Sequence, residues 1–335
     1  MASLDPLPHV RSLLEVGKIE DAADILFQAV RANNPYAIYE LALWSIAGSI
    51  IPRNLTMAYN LLGQAKEIGH QEAALIYVYF TAAGTGCSPD WAEAYEVLEQ
   101  LAKISAVAER QIELLERMEL NGDGEPSKPF DVDRCSSQPM VTCCRQLLTV
   151  AECDHIIDMG KPYLAPSHVV DPQSGRMVPH PVRKSHGAMF GVYNEDMVIN
   201  AVNRRVAAVS ATEYEQGEPL QLLYYERGDE YRPHLDALPG EKNQRIMTVI
   251  IYLSDSYEGG QTHFLRTNFS FKGRKGDALI FANVLSDGRP DPLSIHCGKP
   301  VLSGTKLIAS RWIRQARFTY PDPPSILKHI PGFAA

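Results

Sequence analysis

An interval of 36 residues runs through the first third of the chain and constrains it more than any single motif does. Ala37 and Ala73, Gly48 and Gly84, Ala58 and Ala94, Tyr59 and Tyr95, Leu62 and Leu98, Gln64 and Gln100, and Ile68 and Ile104 stand 36 positions apart without a gap. Ala22, Leu26 and Ala29 precede Ala58, Leu62 and Ala65 by the same interval. A period of this length marks stacked supersecondary units, because one unit alone cannot bury its apolar face. Each unit reads as two helices. Ala37 to Ala47 is apolar and ends at Gly48; a loop with Pro52 leads to a second helix through Met57, Leu61 and Ala65. In the next unit Gly84 and Gly86 close the first helix, and Ser88-Pro89-Asp90 opens the second. A helix over 106–120 is expected to cap the stack. Tyr36, Tyr39, Trp44, Tyr77 and Tyr79 are the candidate groove aromatics.

Asn121 to Ser127 breaks the period with Gly, Pro and charge, the composition of a linker. The expected layout is a helical repeat domain over 1–122, a linker over 123–138, a β-rich domain over 139–320 and a tail over 321–335. A chain of 335 residues has room for two such domains. Its formal charge of −8 disfavours a general nucleic-acid partner, since phosphate contact needs a basic surface. Met1 to Arg11 has neither the basic nor the apolar region of a signal peptide. No run reaches the roughly 18 apolar residues of a membrane span. The expectation is a cytoplasmic protein without a membrane partner. Its six cysteines should then be reduced. The spacing of Cys135, Cys143, Cys144 and Cys153 suits small apolar packing better than zinc.

After residue 139 the signals turn to β. Thr149-Val150-Ala151-Glu152 is a capping box before an apolar helix. The Pro- and Gly-rich stretch 161–182 reads as a candidate lid, and a helix is expected from Asn194 to about Ser210. Short strands follow: Leu220–Tyr225, Tyr231–Asp236, Arg245–Leu253, His263–Phe264, Phe269–Lys272, Ala278–Phe281, Ser294–His296 and Lys306–Ile313. Strands of this length separated by Gly, Pro and Asp turns suggest a double-sheet jelly roll, a double-stranded β-helix. The fold class is therefore α+β: an all-α repeat, then a jelly roll with flanking helices.

Within that region Tyr231-Arg232-Pro233-His234-Leu235-Asp236 puts an imidazole and a carboxylate two residues apart. On a strand such residues share one face. His296 offers a second imidazole. Two histidines and one carboxylate with open positions opposite are the ligand set of non-haem Fe(II) oxygenases. A 2-oxoacid could occupy two of those positions and O2 a third. Its far carboxylate needs a buried cation, and Lys306, set among Leu302, Leu307, Ile308 and Ala309, is placed to be one. Tyr252 and Tyr225 are candidate hydroxyl donors to the same cosubstrate.

Several ordered motifs carry a resemblance over roughly residues 139–318. They include Tyr225-x5-Tyr231-x2-His234-x-Asp236, Thr248-x3-Tyr252-Leu253, Glu258-Gly259-Gly260-x-Thr262-x-Phe264 and Lys275-Gly276-Asp277-Ala278-Leu279-x-Phe281. His296-x3-Pro300-Val301-x2-Gly304-x-Lys306-x5-Trp312-Ile313 completes the set, with Arg183-x-Ser185 upstream. They resemble the prolyl 4-hydroxylase group of Fe(II)/2-oxoglutarate dioxygenases, and the 36-residue units resemble Sel1-like and tetratricopeptide repeats.

The resemblance implies iron ligands His234, Asp236 and His296. It implies Lys306 on the distal carboxylate of 2-oxoglutarate, with Tyr252 or Tyr225 assisting. Arg183, Tyr231 and Trp312 are the candidate substrate contacts; no catalytic residue beyond the metal site is expected. The implied cofactors are Fe(II), 2-oxoglutarate and O2, with ascorbate as a reductant. Asp236 disfavours halogenation, because related halogenases lack this carboxylate. Two departures bear on substrate choice: Leu307 stands where many members carry Trp, and the stretch Asn283 to Leu293 is expected to reshape the mouth of the site. The expected reaction is hydroxylation of a prolyl residue in a peptide or protein, and the alternative is a free cyclic amino acid or small metabolite. The repeats serve either substrate or partner binding, or packing into a homodimer. An interaction scaffold with an inactive oxygenase domain is a third reading, disfavoured by the intact metal and cosubstrate residues.

Overall fold

The computed structural model describes residues 5–170, 177–179 and 182–327. It divides the chain into two units. One comprises the chain up to Gly124, the segment Val192–Asn200 and the chain from Thr319; the other comprises Glu125–Gly191 and Ala201–Phe318.

In the first unit the helices are α1 (Leu7–Glu15), α2 (Ile19–Arg31), α3 (Pro35–Ala47), α4 (Leu55–Glu67), α5 (Gln71–Ala83), α6 (Trp91–Ala102) and α7 (Ala106–Leu115). The period visible in the sequence is a period of backbone chemistry. Asn34 and His70, 36 apart, cap α3 and α5 by accepting from Ala37 N and Ala73 N. Asn54 and Asp90 cap α4 and α6 in the same way. Gly48 and Gly84 end α3 and α5 in the left-handed conformation, at φ 73° and 70°. The buried hydroxyls of Ser45 and Thr81 each donate to the carbonyl four residues earlier. The alanines at 22, 37, 58, 73 and 94 are fully buried where helices meet.

A Cβ at Gly84 would lie 2.9 Å from the Pro89 ring and would have to adopt the left-handed conformation. Gly84→Ala should therefore cost about 1–2 kcal/mol, read as a fall of several degrees in the melting temperature of the helical unit. An unchanged melting curve would contradict the role given to this turn.

Three of the candidate groove aromatics, Trp44, Tyr77 and Tyr79, are core residues instead. Only Tyr36 is strongly exposed, and Tyr36 and Tyr39 pack on His70. The expected boundaries also change. Val192–Asn200 groups with the helices because buried Gln111 bonds both Tyr79 Oη and Met197 N, which satisfies its amide. The tail expected over 321–335 is anchored there as far as it is described: Ile326 N and Leu327 N bond Ser49 O and Ile50 O, and Arg53 donates to Pro321 O.

In the second unit the helices are α8 (Val150–Gly160) and the part of α9 (Met197–Ser210) from Ala201 onward. Both sides of the expected Thr149–Glu152 capping box are present at α8. The strands are β1 (Val132–Ser137), β2 (Met140–Cys144), β3 (Ala165–Pro166), β4 (His168–Val170), β5 (Met177–Pro179), β6 (His186–Met189), β7 (Gln221–Tyr225), β8 (Tyr231–His234), β9 (Arg245–Tyr252), β10 (Tyr257–Gly259), β11 (Thr262–Phe264), β12 (Phe269–Phe271), β13 (Ala278–Ala282), β14 (His296–Gly298), β15 (Val301–Gly304) and β16 (Lys306–Arg314). The major sheet has the order β1-β2-β13-β9-β16-β7-β6-β3, and a smaller sheet has the order β12-β11-β14-β8. The observed class is mixed: helices, and antiparallel sheets consistent with a jelly roll. β1 falls where the linker was expected; it reads as polar because it is an edge strand with little buried surface.

Phe264, Phe281, Tyr252, Ile308 and Val301 fill the core of this unit. β9 lies between β13 and β16 in the major sheet and is buried through its last five residues, which explains its nearly continuous apolar run. Of the candidate lid at 161–182, residues 171–176 and 180–181 lie outside the described residues.

Candidate metal centre and cosubstrate pocket

Pro233 has no N–H to give a ladder, so it suits an edge strand, and β8 is the edge of the smaller sheet. His234 pairs directly with His296 on β14. The strand ends there. Asp236 lies in a bend two residues on, not on the strand as expected, and the bend still turns its carboxylate back toward both imidazoles. His234 Nε2 is 3.5 Å from Asp236 Oδ1, and His296 Nε2 is 3.8 Å from Asp236 Oδ2. One donor atom from each of the three lies within 4.8 Å of the others. Among the described residues this is the one cluster of three or more His, Cys, Asp or Glu side chains with that geometry. The six thiols are free and outside it.

Both rings are held by the same device. His234 Nδ1 lies 2.8 Å from Arg232 O and His296 Nδ1 lies 3.0 Å from Ser294 O. A carbonyl can only accept, so Nδ1 carries the proton and Nε2 keeps its lone pair for the cluster. Burial brings His296 down to about 4, against the attraction of Asp236, so its imidazole is neutral at physiological pH. For Asp236 burial acts upward. The neighbouring imidazoles and the hydrogen bond from the Thr248 hydroxyl outweigh it and hold the carboxyl well below its usual range. The neutral His296 imidazole and the ionised Asp236 carboxylate are in the states that ligation of a divalent metal requires.

Lys306 is 3% exposed at the start of β16. Its ammonium donates to Gly260 O at 2.7 Å and lies 5.3 Å from the Tyr225 ring. No described carboxylate lies within ion-pairing distance. Three N–H donors with one protein acceptor leave room for an anionic group. A Cβ at Gly260 would lie 3.1 Å from Lys306 Cδ, so the glycine lets the side chain pass. Burial brings the ammonium down to about 8.

One pocket is lined by His234, Asp236, His296, Lys306, Tyr225, Tyr231 and Trp312 together. Two expected residues do not line it. Tyr252 is fully buried behind it, its hydroxyl bonded to Thr262 Oγ1 at 3.0 Å, and Thr262 is the group that reaches the wall. Its phenol is placed to orient Thr262. Arg183 packs on the far side of a stack: its guanidinium is 5.5 Å from the Tyr231 ring, which lies 3.5 Å from that of His234. Arg183 therefore bears on the pocket through Tyr231.

Sequence reasoning also missed residues. Thr248 Oγ1 donates to Asp236 Oδ2 at 2.7 Å, and Asn283 Nδ2 donates to Thr248 Oγ1 at 2.9 Å. Thr248 was visible only as a motif position. Asn283 was visible only as the first residue of the stretch Asn283 to Leu293, because its contact depends on strand register. Arg245 stacks on Trp312 at 4.2 Å and is itself fixed by two bonds to Glu218.

The profile of the 2OG-Fe(II) oxygenase superfamily matches residues 220–314. Among similar proteins, probable prolyl 4-hydroxylase 10 of Arabidopsis thaliana is 33% identical over 221 residues, covering 59% of this chain and 76% of that protein. Prolyl 4-hydroxylase 1 of the same plant is 36% identical over 200 residues, covering 54% and 70%. A solved structure of a viral collagen prolyl hydroxylase from Paramecium Bursaria Chlorella virus-1, in its 2OG complex, matches at 24% identity with a TM-score of 0.43, covering 52% of this chain and 96% of that one.

Proposed function

Because the chain belongs to the prolyl 4-hydroxylase family of 2OG-Fe(II) oxygenases, we propose that it hydroxylates prolyl residues in a peptide or protein, with His234, Asp236 and His296 holding the iron and Lys306 the distal carboxylate of 2-oxoglutarate. The observation that carries this reading is the triad and an unneutralised buried ammonium on the wall of one pocket. The donor set fits Fe(II): two imidazoles, one carboxylate and no thiolate. When bound, the iron supplies the oxidation, in which 2-oxoglutarate and O2 become succinate, CO2 and a hydroxylated substrate.

This chain's residues do the rest. Arg232 O and Ser294 O hold the imidazole protons away from the metal side. Thr248 holds one carboxylate oxygen. Lys306, Tyr225 and Thr262 form the polar end that receives the cosubstrate, while Ile250, Ile308 and Leu223 exclude water along its flank. Tyr231 and Trp312 are the aromatic groups at the wall suited to a pyrrolidine ring, and Arg183 steadies Tyr231.

Lys306 has a pH signature. A lysine lowered by burial to about 8 is charged below that value and neutral above it. The kcat/KM for 2-oxoglutarate should fall as pH rises through about 8 and level out at lower pH. A flat profile between pH 6.5 and 9.5 would contradict the assignment.

The helical unit fits Sel1-like repeats, on the 36-residue recurrence of its caps. Its role is to present peptide to the catalytic unit. Incubation with Fe(II), 2-oxoglutarate and ascorbate, using proline-rich peptides or free proline, separates the readings by mass. Gain of one oxygen on peptides is the expected result; gain on free amino acids alone would favour a metabolite hydroxylase.

A further inference from the structure

We propose that Asn283 is a positioning residue of the metal site: through Thr248 it determines which oxygen of Asp236 is left to the metal. The inference rests on the iron reading of the triad. The direction of the hydrogen bonds follows from chemistry rather than from proton positions. Asp236 is an ionised carboxylate and can only accept, so the Thr248 hydroxyl must donate to its Oδ2, 2.7 Å away. Having spent its one proton, Thr248 Oγ1 must accept from its other neighbour at 2.9 Å, which requires the amide nitrogen of Asn283 there. The relay therefore runs one way, from Asn283 Nδ2 to Thr248 Oγ1 to Asp236 Oδ2. With Oδ2 tied to the hydroxyl, Oδ1 is the oxygen left for the metal.

Asn283 is fully buried, and its Oδ1 has no hydrogen-bond partner among the described residues. An orphaned buried acceptor is a cost that an apolar side chain of the same size would avoid. The retained amide is accounted for by its nitrogen.

The backbone extends the argument. Asn283 N donates to Ile246 O at 2.9 Å, two residues before Thr248, and Asn283 O accepts from Asp291 N at 2.9 Å, which closes the loop 283–294 on itself. At the far end of that loop Asp291 O accepts from the Ser294 N–H and hydroxyl, and Ser294 O accepts from His296 Nδ1. One loop thus supports two of the three ligands, Asp236 at its start and His296 at its end. Outer hydrogen bonds of this kind typically change metal affinity about 10–100-fold.

The test uses the full chain and Co(II), whose visible d–d bands report coordination, with binding measured by titration and the melting temperature of the metal-free protein measured alongside. Asn283→Leu keeps the volume and removes the donor; Asn283→Ala replaces it if the leucine variant does not fold. We expect Co(II) affinity to fall at least tenfold with altered d–d bands. Thr248→Val should do the same, and Thr248→Ser, which keeps the hydroxyl, should bind like the unaltered chain. The double variant Thr248→Val with Asn283→Leu should bind no more weakly than Thr248→Val alone, because the relay is already cut. Unchanged Co(II) affinity and spectrum in the Asn283 variants, or losses that multiply in the double variant, would overturn the relay while leaving the iron reading intact. A loss of melting temperature with normal Co(II) binding would show a merely structural role and overturn it too. If the unaltered chain binds no Co(II), both readings fall.

Discussion

Asp236→Ala should lower turnover about a thousandfold and leave the fold standing. The carboxylate is the one anionic donor of the triad, and the bend that carries it lies outside the sheet ladders, so little packing depends on it. A bound metal contributes several kcal/mol to a transition state, and loss of about 4 kcal/mol is about a 10³-fold fall in kcat. The metal-free variant should melt within a few degrees of the unaltered chain. Two effects offset there: a buried charge is removed, and the Thr248 hydroxyl loses its acceptor. Iron-dependent succinate formation and a melting curve on the same preparation check both halves. Retained activity would remove Asp236 from the metal site, and a collapsed melting curve would make its role structural.

Lys306→Met should act in opposite directions on cosubstrate and stability. Removing one partner of a buried ion pair costs roughly 3–5 kcal/mol, so the KM for 2-oxoglutarate should rise at least about a hundredfold. The protein without cosubstrate should become more stable. The ammonium is depressed on folding, to about 8 from an ordinary 10.5. The unfolded chain therefore binds the proton more tightly, and stability rises with pH between those two values and is lower by the full amount below about 8. At pH 7 that penalty is on the order of 3 kcal/mol, and methionine of similar length removes it. The expected result is a higher melting temperature without 2-oxoglutarate, together with loss of the shift that 2-oxoglutarate gives the unaltered chain. A lower melting temperature would mean that Lys306 is held by partners the fold already provides.

The helical period was legible because caps and close contacts are local. Asn54 and Asp90 bond their own helices, and Gly48 and Gly84 satisfy their own turns. The triad was legible because two imidazoles and one carboxylate set in ordered motifs form a recognisable donor set for a divalent metal. The packing of Tyr252 was not legible, for the opposite reason. Tyr252 ends the buried strand β9, where its ring fills core behind the wall, and the shorter Thr262 reaches the pocket.

Alone, the sequence pointed to helices followed by β structure, to the strands that carry His234, His296 and Lys306, and to a grouping of His234, Asp236 and His296. Those properties follow from residue type and short-range spacing. The tertiary structure decided which neighbours complete the site. Asn283 meets Thr248 across a strand register, Arg183 packs on the Tyr231 ring that stacks on His234, and Ile326 and Leu327 bond to Ser49 and Ile50 of the helical unit. Each is a contact between segments far apart in the chain, set by pairing and packing that no local pattern encodes.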